Sequence, residues 1–302
     1  MGKIKMTKYT NYKKILSSLL TLCVLLSILT VGMATAQTTL DVSYLMLAPG
    51  ADETQLTFSW HTQAQVSDPV VRIYKQGDEA MVFHGESSTS TVFTDMHQNK
   101  VTVTDLTADT TYTYQLGDGE DNWSIEYTTK TGNPASFSYL VYGDPQVSSQ
   151  TYGDGWKNTL DLALSVNPDL AFMASTGDNI DAVTLAQYNY FFTPQTTFSS
   201  LPNAVCFGNH EGSSANNDVF YNPPNAANAH SDYWYIDTVT PYSWYGMLTM
   251  EIPLQWKPLF KPQLRQILMQ HGEFSTSTTT YMVKVTHTPF QMAKITEISM
   301  FQ

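Results

Sequence analysis

Cysteine is nearly missing from this sequence. Only Cys23 and Cys206 occur in 302 residues, and Cys23 falls within an N-terminal apolar run, so the chain beyond that run has one thiol and no internal disulfide. Positive charge is scarce too. Lys3, Lys5, Lys8, Lys13 and Lys14 account for five of the fifteen basic residues, leaving residues 37–302 with ten against 27 acidic ones, a net charge of −17. That balance argues against nucleic acid or an anionic membrane as a partner. It leaves phosphate substrates open, because bound cations reverse a local field. Long hydrophobic runs are lacking apart from one of about fourteen residues, Ile15 to Ile28, which is short for a membrane span. With its basic lead and the small-x-small site Ala34-Thr35-Ala36, it predicts a signal peptide over 1–36, a secreted product and no membrane span after cleavage. An uncleaved N-terminal anchor is the alternative.

About 266 residues then remain, enough for one large or two ordinary domains. Residues 37–131 read as short strands separated by turns. Leu56 to His61 and Val70 to Tyr74 are enriched in β-branched and aromatic residues, Thr111 to Leu116 alternates with period two, and Gly117-Asp118-Gly119 marks a turn. Strands at that spacing predict a β-sandwich. The stretch Leu106 to Tyr114 resembles the tyrosine-corner segment of fibronectin type III domains. His61, His84 and His97 have no partner at ligand spacing and are expected to be structural.

Thr131-Gly132-Asn133-Pro134 reads as a linker, and the pattern changes after it. Phe137 to Tyr142, Leu170 to Ala174 and Val205 to Phe207 are apolar runs with strand character. Trp156 to Val166 and Ala182 to Phe192 between them have helical character, so 135–235 predicts parallel strands with crossover helices. Each strand ends on glycine followed by a short oxygen-bearing side chain: Gly143-Asp144, Gly177-Asp178 and Gly208-Asn209, the last continuing into His210-Glu211. C-terminal strand tips share one edge of such a sheet, where ligands bind. Any one of these pairs alone is an ordinary turn or helix cap. Three in this order, with no Lys or Arg beside them, call for cations.

These residues resemble the front half of a calcineurin-like metallophosphoesterase, and the preceding sandwich makes the closer likeness purple acid phosphatase. The resemblance implies a fibronectin type III-like β-sandwich followed by an incomplete α/β metallophosphoesterase domain. It implies two metal ions (iron, zinc or manganese), with Asp144 on the first, Asp178 bridging both and Asn209 on the second. His210 would stabilise the phosphoryl group or protonate the leaving oxygen, with a metal-bound hydroxide attacking a phosphate mono- or diester. Two positions depart from the pattern. Gln146 stands where many relatives have histidine, and Asp181 stands where purple acid phosphatases have the metal-binding tyrosine, so an all-divalent metal pair is as fitting as one with ferric iron. Tyr188 and Tyr190 are expected to be packing residues.

The family's later histidine motifs have no counterpart after residue 235, and His230, His271 and His287 lack their context. Composition changes there as well: 37–235 carries 5 basic and 23 acidic residues, 236–302 carries 5 and 4. Prolines at 241, 253, 258, 262 and 289 would break regular elements in this anomalous tail. A frameshift near Ile236 would account for it. Regrouping the back-translated Asp237–Ser243 permits Tyr-Gly-Asp-Thr-Leu-Phe, and the same shift over Ser277–Met282 permits His-His-Asp-Ile-Tyr-Gly, similar to the missing fourth-strand motif. The gene's nucleotides across codons 230–245 decide this. The sequence therefore points to a secreted phosphoesterase impaired in this chain; the alternative is a non-catalytic surface or adhesion protein with a phosphoesterase remnant.

Overall fold

A computed structural model describes residues 39–134, 136–175, 177–206, 208–211 and 218–221, and the strand backbones 233–236, 244–247, 280–288 and 291–301. The signal peptide expected at 1–36, His230, His271 and most of the tail lie outside the described residues. Among the described residues no helix is long and apolar enough to cross a membrane.

The first part contains β1 (Ser43–Pro49), β2 (Leu56–Thr62), β3 (Val70–Tyr74), β4 (Met81–His84), β5 (Glu86–Thr89), β6 (His97–Val103), β7 (Thr111–Gly117) and β8 (Tyr127–Lys130). They form two antiparallel sheets, β1-β2-β6-β5 and β4-β3-β7-β8. Alternate side chains of a strand face opposite ways. Leu56, Phe58 and Trp60 of β2 thus meet Val71 and Ile73 of β3 and Tyr112, Tyr114 and Leu116 of β7 in one core. Two sheets around one core are the layered arrangement that the strand spacing predicts. The Tyr112 hydroxyl accepts the Thr107 N–H at 2.8 Å, the contact that defines a tyrosine corner.

After the linker come β9 (Phe137–Gly143), α1 (Gln150–Val166), β10 (Leu170–Ser175), α2 (Leu185–Phe191), α3 (Gln195–Phe198) and β11 (Asn203–Val205). β9, β10 and β11 pair in parallel, with Val141 opposite Ala174 and Ser175 opposite Val205. Helix α1 starts at Ser149, whose hydroxyl caps the Tyr152 N–H, and buries Trp156, Leu160 and Ala163 at spacings of four and three. These side chains pack with Leu140, Tyr142, Met173, Tyr188, Phe191 and Phe198. Tyr188 is therefore a packing residue, and Tyr190 packs at the edge of the same core.

The tail is more regular than its prolines suggest. β12 (Tyr233–Ile236) and β13 (Trp244–Met247) pair as one ribbon, while β14 (Thr280–Thr288) runs antiparallel along β9 and carries β15 (Gln291–Phe301) on its outer side. The sheet order is thus β11-β10-β9-β14-β15. Tyr281 registers with Gly143 and His287 with Phe137, which places His287 at the far end of β9 from Asp144.

The two parts share a core, since Met46 of β1 and Phe93 pack with the helices. The buried Tyr114 hydroxyl donates to the Ser199 carbonyl at 2.6 Å across this boundary. Tyr114→Phe would leave that carbonyl without its donor and is expected to lower stability by about 1–2 kcal/mol in urea denaturation. An unchanged midpoint and slope would show that the bond contributes nothing net.

Candidate metal centre

The two aspartate loops continue the sheet beyond its strands. Asp144 N–H donates to Gly177 O at 3.3 Å, Gln146 to Asp178 at 3.0 Å and Val147 to Asn179 at 3.1 Å, and Val147 forms a parallel bridge with Ile180. Asp144, Gln146 and Asp178 take left-handed backbone conformations, with φ of 50°, 40° and 51°. Aspartate tolerates that region better than most residues, yet three such positions in two facing loops are a concentration of local strain of the kind found at functional sites. Gly177, at φ 104°, is where only glycine is comfortable.

The third loop closes on Asp178. The His210 N–H donates to Asp178 Oδ1 at 3.1 Å. A Cβ on Gly208 would stand 1.9 Å from that oxygen and 2.6 Å from the Asp178 backbone nitrogen, so this glycine is fixed by close approach. Glu211, 4% exposed, binds the loops together. Its Oε2 accepts from Asp178 N at 3.1 Å and Gly208 N at 2.9 Å, and its Oε1 from Ile180 N at 3.2 Å and from Asn179 N. Burial raises its pKa, and these backbone donors pull it back. Asn179 is buried behind it, accepting from Ser175 Oγ at 2.6 Å and donating to Cys206 O at 3.2 Å.

His210 is held by its Nδ1, which lies 2.6 Å from the Asp181 carbonyl and 3.7 Å from the Asp181 carboxylate. A carbonyl only accepts, so Nδ1 carries hydrogen and Nε2 is left facing the site, 3.5 Å from Gln146 Nε2. The bond to Asp181 is the main reason the His210 pKa is raised.

Asp144 lies near enough to Asp178 and His210 for their charges to act on it, and Asn209 is exposed on the same loop as His210. Burial, and next the charge on Asp178, raise the Asp144 pKa. Among the described residues neither aspartate has a lysine or arginine partner. Uncompensated carboxylates beside an amide are suitable chemistry for a hard cation. The set is sparse, however: among the described residues no three His, Cys, Asp or Glu side chains are grouped to hold a metal ion. Sequence reasoning missed Glu211 as the loop clamp. It noted Asp181 only as a missing tyrosine, although its spacing three residues after Asp178 placed it beside the motif.

A β-sandwich joined to an α/β sheet with acidic groups on its strand tips defines a two-part, sheet-rich protein. A family model described as purple acid phosphatase, N-terminal domain, matches residues 42–131. Among solved structures, purple acid phosphatase PPD1 from yellow lupin (Lupinus luteus) seeds is similar over 65% of this chain, with a TM-score of 0.53 and 17% identity. This chain spans 43% of the lupin chain, so less than half of that protein is represented. Vertebrate astrotactin-2, a perforin-like membrane protein, aligns over 43% of this chain and 26% of its own at 13% identity, with a TM-score of 0.25, too slight a likeness to use. No curated protein matches. The chain is purple acid phosphatase-like and carries the N-terminal domain of that family.

Proposed function

We propose that this protein is a secreted phosphoesterase of the two-metal type, weakened by a sparse ligand set. The observation that carries this reading is the convergence of three strand-tip loops on Asp178, with Gly208 pressed against its carboxylate and the His210 N–H bonded to it. Asp144, Asp178 and Asn209 would hold the metals, and the Asp178 loop lies between the other two loops. When bound, such a pair acidifies a water and neutralises phosphoryl oxygens. The chain's own residues do the rest. Asp181 fixes the imidazole through Nδ1, and Nε2 of the charged ring gives its proton to the leaving oxygen. The substrate is a phosphate mono- or diester, the metals iron, zinc or manganese.

The test is turnover of a chromogenic phosphate ester by the full chain with added manganese, zinc or iron, alongside calorimetric metal titration. His210→Ala is expected to lose ~100-fold in rate while still binding metal. The sparse donor set favours one rival, a non-catalytic surface or adhesion protein. On that reading the chain binds no metal, and Asp178→Ala and His210→Ala change nothing measurable.

A further inference from the structure

Four consecutive backbone carbonyls after the third loop are each held by a side chain of the sandwich. His61 Nε2 donates to Asp218 O at 3.1 Å, Ser59 Oγ to Val219 O at 3.1 Å, Gln98 Nε2 to Phe220 O at 3.4 Å and Thr57 Oγ1 to Tyr221 O at 2.8 Å. Thr57, Ser59 and His61 are alternate residues of β2, so one polar face of one strand reads this backbone while the opposite face fills the sandwich core. The Asp218 carboxylate reaches the loop before β6, accepting from Ser90 Oγ at 2.6 Å, Val92 N at 2.8 Å and Thr91 N at 3.0 Å. Val219 and Phe220 enter the core shared with the helices. Asp218 is seven residues beyond Glu211 in the chain.

His61 is the group in this contact that acid can disturb. It is fully buried, with Phe93 edge-on at 4.6 Å between ring centroids and Tyr44 at 5.7 Å. Its Nε2 must carry hydrogen to bond a carbonyl, and its buried Nδ1 has no hydrogen-bond partner among the described residues. A second proton would therefore create a buried cation whose new N–H meets no acceptor. The charged groups around it are Asp218, which favours the cation through its carbonyl and its carboxylate, and Lys100 of β6, which opposes it and is itself tempered by Glu86. Tyr44 on β1 is the remaining titratable neighbour and is neutral at these pH values.

We propose that the His61–Asp218 contact is an acid-released clasp: neutral His61 holds residues 218–221 against the sandwich, and protonating it frees that segment. The inference stands whether or not the chain hydrolyses phosphate esters.

Burial is the largest influence on His61 and lowers its pKa from 6.5 to about 4. The released form takes up the proton more readily than the closed one between those values. The clasp is therefore fully formed above pH 6.5 and weakens as pH falls towards 4. Hydrogen exchange of the full chain, read on peptides spanning 218–221 and corrected for intrinsic rates, tests this. Opening should rise roughly fifty-fold between pH 7 and pH 4.5, as the linkage of one proton to these two pKa values requires. His61→Gln keeps a side-chain N–H for the Asp218 carbonyl but cannot titrate, so its protection should be the same at both pH values. Unchanged wild-type protection at pH 4.5, or an equal fall in His61→Gln, would overturn the proposal. Should that variant fail to fold, histidine NMR of the wild-type chain decides. The His61 imidazole must titrate below pH 5 together with the loss of protection, and titration near 6.5 with the segment still protected refutes it.

Discussion

Glu211→Ala is expected to destabilise the protein by about 4 kcal/mol or more, at ~1–3 kcal/mol for each buried backbone donor left unpaired. The Glu211 carboxylate, itself buried, accepts the N–H groups of Asp178, Asn179, Ile180 and Gly208. Against the ~5–15 kcal/mol stability usual for a domain, that loss unfolds the site and a good part of the sheet edge with it. Glu211→Gln keeps one oxygen and presents an NH₂ group to the other pair of donors, so roughly half the effect is expected. Urea denaturation with hydrogen exchange at the four amides measures both. A Glu211→Ala midpoint close to wild type would show that the loops are held by something else.

Gly208→Ala is the sharper change at the proposed metal site. Its new Cβ would fall 1.9 Å from Asp178 Oδ1, 2.6 Å from Asp178 Cγ and 2.6 Å from the Asp178 backbone nitrogen. Turning the carboxylate aside does not clear the backbone contact, so the two loops must part by about an ångström. Displacements of that size around reacting groups cost about 100-fold in rate, and disturbed support for a ligand costs about 10–100-fold in metal affinity. Manganese or zinc titration and the ester assay should both register the change, with far-UV circular dichroism unaltered. Wild-type affinity in Gly208→Ala would mean that Asp178 is not a ligand.

Much of the sheet and its tips was legible because strand and turn signals agreed there. β9 and β10 carry apolar runs that stop at Gly-Asp, and both lie where the runs do. β11 begins at Asn203 rather than Val205, since the buried Asn203 amide donates to the Tyr142 hydroxyl at 2.8 Å and a polar residue does not read as a buried strand. Helix α1 begins six residues before Trp156 because the Ser149 cap outweighs the glycines of its first turns. The Glu211 clamp and the His61 clasp could not be seen, since their partners are backbone groups brought up from elsewhere in the chain. Thr57, Ser59 and His61 are alternate polar residues of a sandwich strand, and residues 218–221 cover them. The strands β13 to β15 were hidden by the prolines around them.

The hydrogen-bond rungs that run on past Gly143 and Gly177 turn the sheet into a gauge. Neighbouring strands stand about 4.8 Å apart, so the interval between the Asp144 and Asp178 backbones is dictated by the repeat of the ladder rather than by the whims of two separate turns. A site ruled in this way takes its spacing from the backbone of its own strands.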